Sequence, residues 1–324
     1  MSLAVTSGYY PSGGTTDDYV GKFIPEIWSG KLQVKFYDTT VLSEITNNDF
    51  EGEIRDQGDK VKIRTVPAIT INDYEKGETL ASQVPTTTLV ELLIDKGKYF
   101  QVIVDDVDEV QADLRLMDIF TGDASQQMKI AVDTQVLAGV KGGASADNKG
   151  TTAGRLSNNI DLGSTSGTKT AKKVASSDVI SHIVDLGQVL DEQNVPEDGR
   201  FLVIPAWFAS RIKQSDLKDA SITGDQMTPL RNGRLGMIDR FTLYVSNLLP
   251  TDSSSVAGEG SDSSVTGTTV YAGTRDAITF ASQFTRMETL RSTATFGQLV
   301  RGLNVYGFKV IKPEALVEFH AYPG

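Results

Sequence analysis

The chain of 324 residues contains no cysteine and only two histidines. The absence of cysteine excludes a disulfide framework, a thiolate nucleophile and every cysteine-ligated zinc or iron–sulfur site. A two-histidine metal site would need His182 and His320 to meet across the fold, and histidine is also an ordinary surface residue. We therefore expect neither a metal nor a cofactor.

Long hydrophobic runs are also missing. The longest, Phe201 to Ala209, is too short to span a bilayer and is interrupted by Pro205. The N-terminal residues MSLAVTSGYYPSGG lack the basic start and apolar run of a secretory signal. With 39% apolar residues the chain can nevertheless build a core. We expect a soluble, globular protein of one elaborated domain or two, intracellular when it is made.

Positive charge is scarce as well, and the formal net charge is −11. Proteins that read nucleic acids bind phosphates through clustered lysine and arginine, so this balance argues against such a reader. An acidic protein can still lie near DNA without adhering to it.

Motifs for catalysis are incomplete. The stretch GSTSGTKT, Gly163 to Thr170, has Thr168 where a phosphate loop needs lysine, and GEGSDS, Gly258 to Ser263, lacks the third glycine of a dinucleotide site. The acidic run from Asp105 to Glu109 suits a helix start better than a calcium loop. Two carboxylates that are distant in sequence could still pair in the fold for general acid–base catalysis, and this alternative remains open. We expect no enzyme.

Hydrophobic periodicity predicts the order of the elements. A polar arm (residues 1–21) precedes a short amphipathic helix, and two strands flank a charged tip within Thr70–Leu92. The predicted elements that follow are a long helix from Val107 to Val132 with a bend at Gly122, an irregular surface tract over 141–172, a helix capped by Ser177, a strand over Phe201–Ile204, a helix over Ala206–Gln214, a strand over Phe241–Leu249, a polar tract over 251–269 with a strand over Val270–Ala272, a short helix over Arg275–Ala281 and strands from Met287 to Tyr322.

Several stretches in this order carry a resemblance to a known family. They are FIPEIWSGKLQVKFYDTTV, GDKVKIRTVPAITINDYEKG, FLVIPAWFASRI, LGMIDRFTLYVSNLLP and GLNVYGFKVIKPEALVEF. Together they resemble the major capsid protein of tailed bacteriophages, which has the α+β Hong Kong 97-type fold. The resemblance covers nearly the whole chain.

This resemblance implies a division of the chain and a role for each part. Residues 1–48 are the N-terminal arm with its short helix, and residues 49–98 are the E-loop, an extended β-hairpin that reaches over a neighbouring subunit. Residues 99–172 form the P-domain with its long spine helix, completed by residues 284–324. Residues 173–283 form the α/β A-domain.

Intersubunit contacts are expected at the tip and in a basic loop. The candidates are Asp73, Tyr74, Glu75, Lys76, Glu78, Arg231, Arg234 and Arg240. For any one of these charges, the alternative is a solvated loop residue. Some relatives link subunits covalently through lysine and asparagine, and Lys76 with Asn304 is the pair to test here.

The implied partners are those of a phage head. The chain would assemble with itself into hexamers and pentamers, with a separate scaffolding protein, a portal protein at one vertex and a decoration protein outside. DNA would be non-specific contents, and the virion assembles in the host cytoplasm. Two alternatives remain open: an encapsulin-like bacterial shell, and an α/β hydrolase or transferase built on residues 173–283.

Overall fold

The computed structural model describes residues 37–49, 60–64, 67, 69–77, 79, 82–85, 89–106, 116–165, 169–215, 236–256, 264–293 and 295–324. The arm, the expected start of the long helix, Glu78, Arg231 and Arg234 lie outside these ranges.

Four helices and twelve strands are described, in three sheets. The helices are α1 (Leu42–Ile45), α2 (Leu116–Val140), α3 (Val179–Glu192) and α4 (Ala206–Gln214). The strands are β1 (Lys60–Arg64), β2 (Leu89–Leu93), β3 (Lys96–Asp105), β4 (Thr170–Val174), β5 (Arg200–Ile204), β6 (Met237–Ile238), β7 (Phe241–Val245), β8 (Thr251–Val256), β9 (Ser264–Thr274), β10 (Ile278–Arg291), β11 (Gly297–Val310) and β12 (Leu316–Pro323). The sheets have the orders β1-β2, β10-β11-β3 and β12-β4-β8-β9-β5-β7-β6.

The hairpin (residues 60–93) confirms the predicted two-stranded excursion. Its strands pair antiparallel, with Lys60 opposite Leu93 and Arg64 opposite Leu89. Beyond the strands, the Gln83 side chain accepts from the Thr70 N–H at 3.1 Å and donates to the Thr70 carbonyl at 2.8 Å, which ties the two arms together. Two residues separate the end of β2 at Leu93 from the start of β3 at Lys96.

Helix α2 packs against the three-stranded sheet with only its second half buried. Val132, Val136, Leu137 and Val140 are in the core, where they meet residues of both larger sheets. The helix ends later than the sequence predicted, at Val140. It also runs through Gly122, where a bend was predicted. A single glycine weakens a helix without having to break it.

The seven-stranded sheet carries the predicted α/β module. Every residue of β5 is buried, and α3 and α4 contribute Ile183, Leu186 and Phe208 to the core beside it. The strand β5 and the helix α4 confirm their predictions, whereas β7 ends at Val245, earlier than predicted. Ser177 does not cap α3; the helix begins after Asp178 and has no side-chain cap.

Two polar tracts differ from their predictions. The 141–172 tract is irregular but is not simply on the surface, because Ala153, Ile160 and Leu162 are buried and the Asn148 amide donates to two backbone carbonyls. Much of the serine- and threonine-rich 251–269 stretch forms β8 and the start of β9, paired antiparallel. After them comes a single 3₁₀ turn and then β10, where a helix was predicted.

Strand β12 joins the seven-stranded sheet in two ways. It pairs antiparallel with β9 and parallel with β4, and because β4 pairs with β8 and β8 with β9, the four strands form a closed circuit of pairings. Residues 284–324, which the sequence placed in one domain, are therefore shared between two sheets.

A strap (residues 37–49) connects α2 to both larger sheets. The buried carboxylate of Asp133 on α2 accepts the N–H groups of Val41 and Leu42 at 2.7 and 3.2 Å. Burial raises the pKa of Asp133, and these two amides partly oppose the rise. Further along, Asn47 exchanges backbone hydrogen bonds with Ile278 and Phe280 at the start of β10. The strap thereby fixes how the helix and the sheets lie together.

Candidate assembly surface

The far end of the hairpin exposes large apolar side chains. Ile71 and Val84 are each 88% exposed, and Ile69 and Tyr74 are about two-thirds exposed. Gly77 turns the chain at the tip with a positive φ of 97°. Contiguous exposed apolar surface of this kind marks contact sites with other molecules. The sequence singled out Tyr74 and the charges of the tip, but not Ile69, Ile71 or Val84.

The predicted tip residues lie beside that apolar surface. Asp73, Tyr74, Glu75 and Lys76 are all exposed, at the turn itself. They are brought together on the same tip, at the opposite end of the hairpin from its small core. That core consists of Leu92, Ile94 and Ala281, with Val61 and Ile63 packed against it.

The base of the hairpin is held by a close backbone contact. Gly307 on β11 lies so near the Leu93 carbonyl that a Cβ there would clash with it, and the same Cβ would lie 3.0 Å from the Ile94 Cα. Lys96, paired with Asp95 at 3.0 Å, also lies over the Phe308 ring at 5.3 Å from its centroid. These contacts set the direction in which the hairpin leaves the sheet.

Replacement of Gly307 by alanine is expected to destabilise the subunit by about 1–3 kcal/mol, because the added methyl meets backbone that cannot rotate away. Gly97→Ala is the matched control on the neighbouring strand, where the nearest atom to a new Cβ is the Asn304 carbonyl oxygen at 3.9 Å. Urea unfolding of unassembled subunits measures both. Equal unfolding midpoints for the two variants would show that the contact at the hairpin base is not tight.

The outer face of the three-stranded sheet is a second exposed surface. Strand register places Leu303 between Arg286 and Tyr99, and Leu299 between Leu290 and Ile103. Tyr99 is 79% exposed. Between these two rows, Arg301 pairs with Glu288 at 2.6 Å. The sequence did not single out this face, although apolar residues alternate with polar ones along it on three neighbouring strands.

Arg240 has partners within its own chain. Its guanidinium pairs with Asp191 at 2.9 Å and with Glu197 at 2.7 Å. Asp191 also binds the buried guanidinium of Arg200 at 2.7 Å. Burial favours a higher pKa for Asp191, but the hydrogen bonds from Arg200 and Arg240 lower it below its usual value. Arg240 therefore has partners within its own chain, and its contact with a neighbouring subunit stays a prediction.

The two residues of the suspected cross-link lie in different places. Lys76 is exposed at the hairpin tip, whereas Asn304 is partly buried on β11 and accepts a hydrogen bond from the Ser282 hydroxyl at 3.1 Å. Asn304 lines a groove between α2 and the sheet.

A serine–histidine pair occurs inside the closed circuit of strands. Ser254 Oγ lies 2.7 Å from His320 Nε2, and His320 Nδ1 lies 3.2 Å from Thr269 Oγ1. Burial, and then the charges of Lys141 and Lys169, lower the pKa of His320 to about 4. Both Ser254 and His320 are buried, and a hydroxyl occupies the place that an orienting carboxylate has in a hydrolase triad. The pair therefore lacks both the exposure and the carboxylate of a hydrolase triad.

Within the described ranges, no group of three or more histidine, aspartate or glutamate side chains is arranged to hold a metal ion. A search of the same ranges finds no helix with the length and apolar character needed to cross a membrane.

Comparison with known proteins identifies the family. A family model described as phage capsid protein matches residues 88–319, well over half of the chain. A chain from the structure of Mycobacterium phage Che8 is 27% identical, with a TM-score of 0.72 over 92% of this chain and 97% of that one. No curated protein sequence matches significantly.

More distant structures share the fold. A capsid chain of cyanophage P-SCSP1u is 16% identical with a TM-score of 0.70, covering 98% of each chain. A capsid chain of Ralstonia phage GP4 is 14% identical with a TM-score of 0.64, covering 97% of this chain and 98% of that one. These matches confirm the α+β Hong Kong 97-type fold, and with the family model they show that the chain belongs to the phage capsid protein family, as a major capsid protein of the icosahedral head.

Proposed function

We propose that this chain assembles into the hexamers and pentamers of a tailed-phage head that encloses a double-stranded DNA genome. The observation that carries the proposal is the hairpin, whose apolar tip lies far from its small core. A two-stranded sheet is marginally stable alone, so the exposed tip requires a neighbour. A second copy of the chain is the partner that a shell supplies.

The parts of the fold take the roles that the family resemblance implies. Residues 49–98 act as the E-loop on an adjacent subunit, and the polar arm reaches other neighbours. Helix α2 is the spine of the P-domain, formed by residues 99–172 and 284–324. Residues 173–283 form the A-domain near the local symmetry axis. The close contact at Gly307 sets the direction in which the hairpin leaves its own subunit, and this direction favours one geometry of contact with the neighbouring subunit.

Physical reasoning supports a shell over a compact oligomer. One chain must occupy hexamer and pentamer positions, so its contacts must tolerate different angles while they bury apolar area. A long hairpin can bury area on a neighbour while its base stays fixed. Obligate interfaces of this kind contribute more stability than exposed ion pairs. The tip residues Asp73, Glu75 and Lys76 therefore act together with Ile71 and Val84.

The remaining partners follow from the same proposal. A separate scaffolding protein guides assembly in the host cytoplasm, a portal occupies one vertex, and a decoration protein can bind outside. Packaged DNA contacts an acidic chain only non-specifically. We propose no catalytic role, because the buried Ser254–His320 pair is closed to a substrate. An encapsulin-like shell is the second candidate, and the capsid family favours the phage.

Electron cryomicroscopy of the chain expressed with its phage scaffolding protein is expected to show closed icosahedral shells of hexamers and pentamers. Soluble monomers under the same conditions would refute the proposed function. The chain expressed alone is the control, and uniform virion-sized shells from it would contradict the need for scaffolding. Denaturing gels of the shells test the Lys76–Asn304 link, since a monomer-sized band excludes complete cross-linking.

A further inference from the structure

A groove of about 540 Å³ lies between α2, the three-stranded sheet and the strap. Its apolar lining includes Phe100 from the sheet and Met128 and Val132 from the helix. Met287 on β10 also lines it, with half of its side chain exposed. The strap forms one wall through Thr40 and Leu42.

The groove continues along a half-helix that is poorly covered. From residue 117 to residue 131 of α2, no residue is buried, and Ile119 and Phe120 are each about 40% exposed. Burial begins abruptly at Val132. Ile119 and Phe120 therefore keep apolar surface that the described residues leave uncovered.

We propose that residues 22–36 of the same chain pack along this groove and the exposed half of α2. The chain enters the described structure beside them, since the Tyr37 hydroxyl donates to Asp123 on α2 at 2.8 Å. Three residues later, Thr40 lines the groove. Residues 22–36 are thus tethered at the site and need little loop closure to occupy it.

The sequence of residues 22–36 fits the site in pattern and length. Ile24, Ile27, Trp28 and Leu32 recur at near-helical spacing. Pro25 suits the first turn of a helix, and a helix from Pro25 to Phe36 would be about 18 Å long, against about 22 Å for residues 117–131 of α2. The two segments can therefore pack side by side over most of their length.

Charge favours residues 22–36 over the hairpin tip of a second copy. Residues 22–36 carry three lysines and one glutamate, whereas α2 carries three aspartates and one lysine. The described part of the tip has two acidic residues and Lys76, so it would bring negative charge to a negative helix. This packing goes beyond the proposed function, because it forms within one subunit before any shell does.

Tryptophan fluorescence tests the packing directly. The chain has two tryptophans, so Trp207→Phe leaves Trp28 as the only one. In unassembled subunits, Trp28 emission is expected at the short wavelength of a buried indole and protected from iodide quenching. Met287→Lys should shift it to the solvent-exposed wavelength. The control Leu290→Lys changes the opposite face of the same strand and should leave it unshifted. Solvent-like emission before mutation, or no response to Met287→Lys, would overturn the proposal.

A photo-crosslinking amino acid at position 28 decides which chain supplies the segment. Mass spectrometry is expected to find its products on α2 residues 117–131 or on the groove lining. In a mixture of isotopically heavy and light subunits, heavy peptides should be cross-linked only to heavy peptides and light peptides only to light ones. Mixed heavy–light products would place the segment on a neighbour and overturn packing within one subunit, as would products on unrelated surfaces.

Discussion

Replacing Asp73–Val84 by a tight turn is expected to abolish shell formation while the subunit remains folded. The deletion removes the exposed tip, but the strands β1 and β2 and the small core at Leu92 and Ile94 remain. The folded subunit therefore loses almost no buried area, whereas the shell loses the contacts of Tyr74, Val84 and the charged tip residues. Electron microscopy counts the shells, and thermal unfolding of unassembled subunits reports the fold.

Single substitutions separate the apolar contribution from the shape of the tip. Ile71→Ser and Val84→Ser each remove an apolar side chain that is 88% exposed, and full burial of such a side chain is worth about 1.5–3 kcal/mol. Both should raise the concentration needed for assembly. Leu156→Ser is the matched control, at 79% exposure on another surface. Normal shells from the truncated hairpin would contradict the assigned role of the tip.

Mild acid is expected to destabilise the subunit through His320. The pKa of this side chain is about 4 in the folded protein, because burial and then Lys141 and Lys169 disfavour its charge, against an ordinary value of 6.5. A lowered pKa means that the unfolded chain binds the proton first. Stability is therefore complete above pH 6.5 and is lost as the pH falls toward 4, by about 3 kcal/mol in total.

His320→Gln isolates this effect, because glutamine keeps a donor and an acceptor for Ser254 and Thr269 but does not titrate. Urea unfolding of unassembled subunits at pH 8 and pH 5 should show that the wild type loses about 2 kcal/mol more than the variant. Carboxylates such as Glu192, whose pKa is lowered to about 2, contribute equally to both proteins. Parallel pH profiles for wild type and variant would rule out His320 as the source.

The predictions from sequence were correct for helices and strands whose structure is determined by their own residues. Helix α4 follows Pro205 and matches its predicted bounds, and the fully buried β5 is a short apolar run that ends at the same proline. The charged hairpin tip was also readable, because Gly77 and Pro85 interrupt two β-rich flanks. Local propensity and burial agree in these segments, which is the condition for reading structure from sequence.

The sequence was not sufficient where the structure depends on contacts between residues that are distant in the chain. The serine- and threonine-rich strands β8 and β9 resemble a loop in composition, but they pair with each other and lie against β4, β12 and β5. The intrachain partner of Arg240 could not be read from the sequence either, because Asp191 lies 49 positions earlier in the chain. The exposed Tyr99 face was missed because exposure depends on what packs on each side of the sheet.

The closed circuit of β4, β8, β9 and β12 has a consequence for solubility. A capsid subunit must accumulate at high concentration before it assembles, and exposed strand edges would then recruit further strands into fibres. Within the circuit, β12 pairs with β4 on one side and with β9 on the other. At the opposite end of the seven-stranded sheet, the edge strand is β6, which has only two residues. On the hairpin, β1 carries Lys60, Lys62 and Arg64. Growth by strand addition is thus discouraged at the seven-stranded sheet and at β1, which favours association through side-chain contacts there.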